Sequence, residues 1–427
     1  MRFQCTDCGD ELPIDQARNP YTCSCGGLLD IVHDFRSVDT DQLKREFDNR
    51  LSDRMSPYAS GVWRYKELIH PLLPEPYITT KYEGNTGLYT SSAVASYVGI
   101  RELKLKAQSE NPSGSFKDNG MTAAVSHGRY LGYTKFTCTS TGNTSSSLAM
   151  YAALSGSSSF VFLPERGISL NKVLQTLAYG AHLISFPGTY DDGIRFSELY
   201  SEALGLYVCN SMNPFRIEGQ KSMIYEIAHQ LRWQLPDWIV VPGGALSNAT
   251  ALGKGLKDLH DLGFIDKLPN IAVVQAEGAS PFHEMMEAGG NKLKPQTNPS
   301  TRATALNIGN PPSWKKALHY TMRPNHSVTV SVTDTEIMDA KAKVDRSGIG
   351  CEPASAASVA GLRKLVRQGV IDKESTAVCI LTGHVLKDTD AIQEYHLDVD
   401  TKGKFANVFH NSELEWTKIR QFVEAAQ

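Results

Sequence analysis

From Leu51 onward the chain alternates short apolar or β-branched runs with stretches in which apolar residues return every three or four positions. Leu170, Val173, Leu174, Leu177 and Ala178 form an i, i+3, i+4, i+7, i+8 stripe, which predicts an amphipathic helix ending at Gly180 and a strand over His182–Phe186. Further strands are expected at 77–80, 103–107, 136–139, 159–163, 207–210, 238–241, 271–276, 328–332 and 376–381. Helices are expected at 117–131, 145–154, 170–179, 220–234, 248–262, 333–345 and 354–368. Such alternation predicts an α/β fold with a mostly parallel sheet covered on both faces. Ligands bind such sheets at the carboxyl ends of the strands, so the loops from strand to helix are where chemistry is expected. No internal repeat or low-complexity tract interrupts the pattern, and 289–300 reads as a long exposed loop.

The chain has 427 residues, enough for two or three domains or one large α/β domain with a companion. With 43 Lys+Arg against 46 Asp+Glu and no block of like charges, it lacks the footprint of a nucleic-acid or anionic-membrane binder. The longest stretch free of charged residues, 136–164, is long enough to cross a bilayer but is rich in Ser, Thr and Gly, so no membrane helix is expected. The start, Met1-Arg2-Phe3-Gln4-Cys5, lacks the basic and apolar regions of a signal peptide, which predicts a cytoplasmic location.

Eight cysteines are too few for a disulfide scaffold, yet four fall in the first 25 residues. Cys5-Thr-Asp-Cys8-Gly9 and Cys23-Ser-Cys25-Gly26-Gly27 resemble the knuckles of a small zinc ribbon, making Cys5, Cys8, Cys23 and Cys25 candidate zinc ligands. The second knuckle is C-x-C instead of C-x-x-C and the spacer is short, so a metal-free cysteine hairpin docked on the body is the alternative. A four-thiolate site has no open coordination position, and neither reading makes it catalytic.

Several common motifs fail on spacing. A phosphate loop ending at Gly253-Lys254 would need Gly at 248 and Ser or Thr at 255, where the chain has Asn248 and Gly255. The run from Gly348 to Pro353 lacks the third glycine of a dinucleotide fingerprint, and His283-Glu-Met-Met-Glu287 lacks the second histidine of a zinc-protease helix.

Four loops carry chemistry instead. The first, Asn111-Pro-Ser-Gly-Ser-Phe-Lys117-Asp118, sets a lysine at a helix start, where a depressed pKa would suit Schiff-base formation with an aldehyde; a surface lysine beside Asp118 is the plain alternative. The second, Ser140-Thr141-Gly142-Asn143-Thr144-Ser145, offers hydroxyls, an amide and backbone N–H groups as an anion cradle. In the third, Pro242-Gly243-Gly244-Ala245-Leu246-Ser247-Asn248, paired glycines let backbone amides approach a phosphate, unless they only make a tight turn. The fourth, Leu381-Thr382-Gly383-His384, puts a hydroxyl at a strand end. A lysine, an amide, a phosphate cradle and a neutral hydroxyl are together the contacts pyridoxal phosphate requires.

On these loops, and on Glu83–Leu88, Tyr179-Gly-Ala181, Asn210–Lys221, 352–361 and 381–388, the chain resembles the fold-type II pyridoxal-phosphate enzymes and, among them, the threonine synthases. The resemblance spans nearly the whole body and includes the cysteine-bearing start. It implies a two-domain architecture like that of the tryptophan synthase β chain, with a ribbon at 1–35, a large cofactor-binding domain at 36–117 and 212–427, and a small mobile domain at 118–211. It implies that Lys117 binds the cofactor covalently and shuttles protons, with Phe116 beside it. Asn143 would bond the phenolic oxygen and Thr382 the pyridine nitrogen. Gly243, Gly244, Ala245, Leu246 and Asn248 would hold the cofactor phosphate. Ser140, Thr141, Gly142 and Thr144 would take the substrate carboxylate, and Ser211, Asn213 and Arg216 the substrate phosphate. Read without the resemblance, Arg216 would pair with Glu218 or Asp192 at the surface. Val385 and Gly87 depart from the family pattern and bear on fine cofactor geometry.

The implied reaction turns O-phospho-L-homoserine and water into L-threonine and phosphate in a homodimer. The rival on the same scaffold is a cysteate-synthase-like enzyme acting on O-phosphoserine and sulfite. A zinc-dependent binding protein with a degenerate enzyme body is a third reading, opposed by the intact Lys117, Asn143 and Thr382.

Overall fold

The computed structural model describes residues 1–14, 21–36, 38–165, 170–398, 403–409 and 411–425. At the start of the chain, β1 (Arg2–Cys5), β2 (Glu11–Pro13) and β3 (Leu29–Val32) form an antiparallel ribbon in the order β2-β1-β3. They are followed by β4 (Leu88–Thr90), β5 (Glu102–Ala107), β6 (Lys135–Thr139), β7 (Ser158–Pro164), β8 (His182–Phe186) and β9 (Tyr207–Val208). Then come β10 (Trp238–Pro242), β11 (Asn270–Ala276), β12 (Val328–Val332) and β13 (Thr376–Leu381). One sheet runs β12-β11-β10-β13-β5-β4, parallel except where β4 pairs with β5; the other runs β8-β7-β6-β9 and is parallel throughout.

The central strand β10 is buried at every residue, which is why it reads as a continuous apolar run. Its side chains alternate between two cores. Ile239 and Val241 pack with Ile224, Leu252 and Leu256 on one face, and Trp238 and Val240 with Val359, Leu362 and Leu365 on the other. The helices Pro214–Gln230 and Ser247–Asp261 cover the first face and Pro353–Arg367 the second.

Where structure and sequence reading differ, the backbone hydrogen bonds give the reason. The expected strand at 77–80 is not formed. The Thr79 N–H donates to Ser126 Oγ (2.8 Å) and its carbonyl accepts from Thr122 Oγ1 (2.6 Å), so helix side chains replace a ladder partner. The strand at 207–210 ends at Val208 because the Asn210 side chain takes over its pairing, accepting from the Thr139 N–H at 3.1 Å and donating to the Thr139 carbonyl at 3.0 Å. The helix expected from 220 starts at Pro214, since Asn213 caps it and proline suits its first turn. This carries Arg216 onto the helix. The ribbon strands, β4, and the helices Thr40–Ser52, Ser92–Val98 and Tyr190–Leu204 were not expected from the apolar pattern.

Two helices decide where the chemistry can sit. Lys117–Tyr130 and Pro214–Gln230 cross so closely that a Cβ on Gly219 would lie 2.1 Å from the Asn119 carbonyl oxygen, and one on Gly120 would lie 2.7 Å from that of Arg216. Only glycines permit this approach, which draws the first turns of both helices together. Gly219→Ala is expected to destabilise the fold by about 1–3 kcal/mol, the usual cost of overpacking against an unyielding neighbour. A urea denaturation midpoint unchanged from that of the parent protein would refute the crossing as drawn.

Candidate active site

The strands β5, β13 and β10 are parallel neighbours, so the loops that leave their carboxyl ends emerge side by side. The β5 loop carries Lys117, the β13 loop Thr382, and the β10 loop Gly243 to Asn248. The first two are stitched together. The Phe116 N–H donates to the Thr382 carbonyl (3.0 Å), the His384 N–H donates to that of Gly114 (2.9 Å), and Ser115 bridges Gly383. In the other sheet, β6 and β9 are also parallel neighbours, and their loops present 140–144 and Ser211 to Arg216.

Lys117 opens its helix, partly exposed among buried residues, with Nζ 4.1 Å from the centroid of the Phe116 ring. Burial lowers its pKa to about 7; the Arg216 charge adds to this, and Glu352 opposes it. Among the described residues Lys117 Nζ makes no hydrogen bond or ion pair. The alternative of a lysine paired with Asp118 fails, because that carboxyl is fully buried and committed elsewhere. It accepts from the Ser113 N–H (2.7 Å), from Ser113 Oγ (2.6 Å) and from Ser147 Oγ, and burial raises its pKa to about 6.

Arg216 is 1 % exposed and has no carboxylate partner. Its Nη1 donates to the Cys209 carbonyl at 3.0 Å, while Nε and Nη2 are buried without a partner. Glu218 instead meets His33, Lys221 and Lys254, and Asp192 closes a capping box with Thr189, so neither expected surface partner is available. A buried cation with no counter-charge and two of its three nitrogens unpartnered is costly on its own, and an anion removes that cost. Asn213, expected at the substrate phosphate, is engaged within the protein through its side-chain amide. Its Oδ1 accepts from the Phe215 N–H (3.0 Å) and its Nδ2 donates to the Val208 carbonyl (2.9 Å), so it caps the helix that aims Arg216. Ser211 lies in the turn just before this cap and is nearly buried.

The β10 loop has the features of a phosphate cradle. A Cβ on Gly243 would lie 2.6 Å from Val273 Cγ1 and one on Gly244 2.8 Å from the Ala305 carbonyl oxygen, so the loop is wedged where only glycine fits. Leu246 takes a left-handed conformation (φ 65°) and gives no side-chain cap to the helix Ser247–Asp261. The N–H groups of that first turn therefore remain for an anion. Both amide atoms of Asn248 are buried and unpartnered. Ala245 adds only backbone, its carbonyl accepting from the Ser313 N–H at 3.3 Å.

Residues 140–144 form a partly exposed run between buried neighbours. Gly142 donates its N–H to Ser140 Oγ at 3.2 Å, and Asn143 opens the next helix. Thr141 and Thr144 share this open face. Asn143 Nδ2 donates to both carboxyl oxygens of Glu352 (2.9 and 3.2 Å), and Thr382 Oγ1 to Oε1 of the same group (3.2 Å). Thr382 Oγ1 is also 2.9 Å from Ser355 Oγ.

Glu352 is the residue that sequence reasoning missed. Burial raises its pKa, with the Asn143 and Thr382 hydrogen bonds and the Lys387 and Lys117 charges working against this. A Cβ on Gly383 would lie 2.4 Å from Glu352 Cδ, so a larger residue there would displace this carboxyl. The available signal was Glu352-Pro353, an acidic residue before a proline at a helix start, set inside the run dismissed as a failed nucleotide fingerprint.

Together these residues fit a ligand with a phosphate and an electrophilic carbonyl: an uncapped first turn with an orphaned Asn248 amide at one end, and an unpaired amine of low pKa at the other. Comparison with known proteins agrees. Residues 79–383 match the family model described as pyridoxal-phosphate dependent enzyme. The chain is 41% identical to the threonine synthase of Methanocaldococcus jannaschii, over 92% of this chain and 94% of that one. To the Methanosarcina acetivorans threonine synthase it is 42% identical, over 91% and 93%. The crystal structure of Escherichia coli threonine synthase superposes with a TM-score of 0.71 at 15% identity, covering all of both chains, which is a likeness of fold.

Adding an aldehyde to the cofactor-free protein and following Schiff-base formation with pH tests the Lys117 environment. Only the neutral amine attacks, so the rate is expected to rise with pH and level off above about 7, in line with the lowered pKa. A rate still climbing toward pH 10, as an ordinary lysine would give, would contradict that environment.

Proposed function

This chain belongs to the pyridoxal-phosphate-dependent enzymes and, within them, to the threonine synthases, and from that premise we propose how its residues divide the work. The protein is a lyase that converts O-phospho-L-homoserine and water into L-threonine and phosphate. The observation that carries the assignment of residues is Arg216, a buried guanidinium without a counter-charge, whose field reaches Lys117.

Pyridoxal phosphate, when bound, supplies an aldehyde that captures an amine and an electron sink for the carbanion left at the substrate α-carbon. Lys117 Nζ is the amine that would hold the cofactor aldehyde and would give it up to the substrate amine. Its Nζ then takes the α-proton. An amine with a pKa of about 7 is well populated as free base at neutral pH and still returns a proton readily. Asn143 would hold the cofactor's phenolic oxygen and Thr382 its pyridine nitrogen, and both side chains are steadied by hydrogen bonds to the Glu352 carboxyl. Gly243, Gly244, Ala245, Leu246 and Asn248 hold the cofactor phosphate. Ser140, Thr141, Gly142 and Thr144 orient the substrate carboxylate. Ser211 and Arg216 take the substrate phosphate, which the Arg216 guanidinium binds as a dianion.

Further expectations rest on family resemblance. A homodimer and a small mobile domain over 118–211 are proposed on that basis, and a cytoplasmic location from the character of the sequence alone. No described helix is long and apolar enough to cross a membrane. Zinc is proposed at Cys5, Cys8, Cys23 and Cys25, whose sulfurs all lie within 4.8 Å of one another.

Lys117→Ala is expected to remove both the visible cofactor band and turnover; a retained band would place the covalent link elsewhere. Arg216→Ala is expected to keep the band and lower kcat/KM for O-phospho-L-homoserine by about 10- to 150-fold, the equivalent of one charge-assisted hydrogen bond. Incubation with O-phospho-L-homoserine should yield threonine and phosphate. Cysteate from O-phospho-L-serine and sulfite, with no threonine from the first substrate, would transfer the function to the rival reaction.

A further inference from the structure

The cysteine ribbon is far more than an appendage to the sheet. The Cys5 and Cys25 sulfurs are 3.5 Å apart and those of Cys8 and Cys23 3.7 Å. Four thiolates at about 2.3 Å from one tetrahedral zinc lie roughly 3.8 Å from each other, so the cluster has the dimensions of a metal site. The backbone agrees. The N–H groups of Asp7 and Cys8 point to Cys5 Sγ (3.4 and 3.5 Å), and that of Gly27 to Cys25 Sγ (3.4 Å). A Cβ on Gly27 would lie 2.7 Å from Cys5 Sγ. The C-x-C knuckle and short spacer thus still converge on one point.

Behind this cluster, the ribbon grips the helix that carries Arg216. Phe3 of β1 meets Phe215 edge-on at 5.9 Å. His33, just past β3, contacts Glu218 at 2.5 Å, and Asp30 of β3 reaches Lys254 (2.9 Å), which also holds Glu218 (2.6 Å). Tyr21 Oη accepts the Val208 N–H at 2.7 Å, at the end of the strand whose next residue, Cys209, holds the Arg216 guanidinium. Residues 215 and 218 therefore face the ribbon while Arg216, between them, faces the active site.

We propose that Cys5, Cys8, Cys23 and Cys25 bind one zinc ion and that this ion, by fixing the ribbon, positions Arg216 for the substrate phosphate. The zinc site has no catalytic part. Cys5 ends β1, and Cys23 and Cys25 lead into β3, so the ion joins the ends of the two strands that brace the helix start. Removing it frees those ends and lets residues 214–216 shift, a displacement that costs binding more than the chemistry at Lys117. The positioning role rests on the assignment of Arg216 to the substrate phosphate.

The test uses the full-length holoenzyme. One zinc per chain is expected by elemental analysis, and Cys8→Ser/Cys25→Ser, which alters the two exposed ligands, should abolish it. In that variant KM for O-phospho-L-homoserine and the inhibition constant of inorganic phosphate should rise together, by about tenfold or more, while the cofactor band and kcat at saturation stay within about twofold. Tyr21→Phe should keep the zinc and still raise both constants, and it decides the matter if the cysteine variant fails to fold. A wild-type protein without zinc overturns the metal site. Loss of zinc with KM and phosphate inhibition unchanged, or a Tyr21→Phe enzyme indistinguishable from wild type, overturns the positioning role. Arg216→Ala separates the premise: if it leaves phosphate inhibition unchanged, the phosphate assignment falls, whatever the ribbon variants do.

Discussion

Two cations drawn together at a glycine-lined helix crossing are the constraint on which the site depends. Lys117 and Arg216 open helices that touch through Gly120 and Gly219, and each lies where burial disfavours its charge. In a medium of low effective dielectric the cheapest escape is for one to give up its proton. Arginine does not do so in the physiological range, so lysine is the one that titrates, with its pKa lowered to about 7. The arrangement thus yields a neutral nucleophile and a persistent cation within one field. An anionic ligand then relieves the cation, which turns desolvation of Arg216 into binding affinity for a phosphate.

A cation held in this way needs a rigid support, and the support is itself charged. Asp30, Glu218 and Asp258 interleave with Lys221, Lys254 and Lys316 between ribbon and body. Buried ion pairs of this kind add little net stability over apolar packing, because desolvation offsets attraction. Their geometric selectivity is the better reason for their presence: a misplaced helix would leave a charge unpaired, so the network admits one register of ribbon against helix. The same helix turn therefore carries a matched carboxylate on one side and an unmatched guanidinium on the other.

The strands of the body were legible because burial on both faces writes itself as continuous apolar runs, as in β10. Lys117, Asn143, Thr382 and the 243–248 loop were singled out because each follows the carboxyl end of a strand, where the loops of parallel sheets carry ligands. Local periodicity failed where side chains replaced backbone partners. Thr79 bonds to helix hydroxyls and Asn210 stands in for a strand residue, and neither substitution has an apolar signature. The role of Asn213 was hidden for a related reason. A polar residue before Pro214 is equally suited to a ligand or to a cap, and only the three-dimensional count of its hydrogen bonds decides. Glu352 escaped notice because its partners are 209 and 30 residues away in sequence.

The acids of the site complete the logic. Asp118 and Glu352 are the carboxyl groups that could have neutralised Lys117, one adjacent in sequence and one facing it across the loops. Both are buried, and both accept hydrogen bonds from neutral donors: Ser113 and Ser147 for Asp118, Asn143 and Thr382 for Glu352. Neutral donors hold a carboxyl in place without a salt bridge, and burial raises both pKa values. A strong ion pair would have held the Lys117 proton in place and pushed its pKa upward. By satisfying the acids with hydroxyls and amides, the fold withholds them from the lysine. The amine stays unpaired between them, able to bond to carbon in one step and to carry a proton in the next.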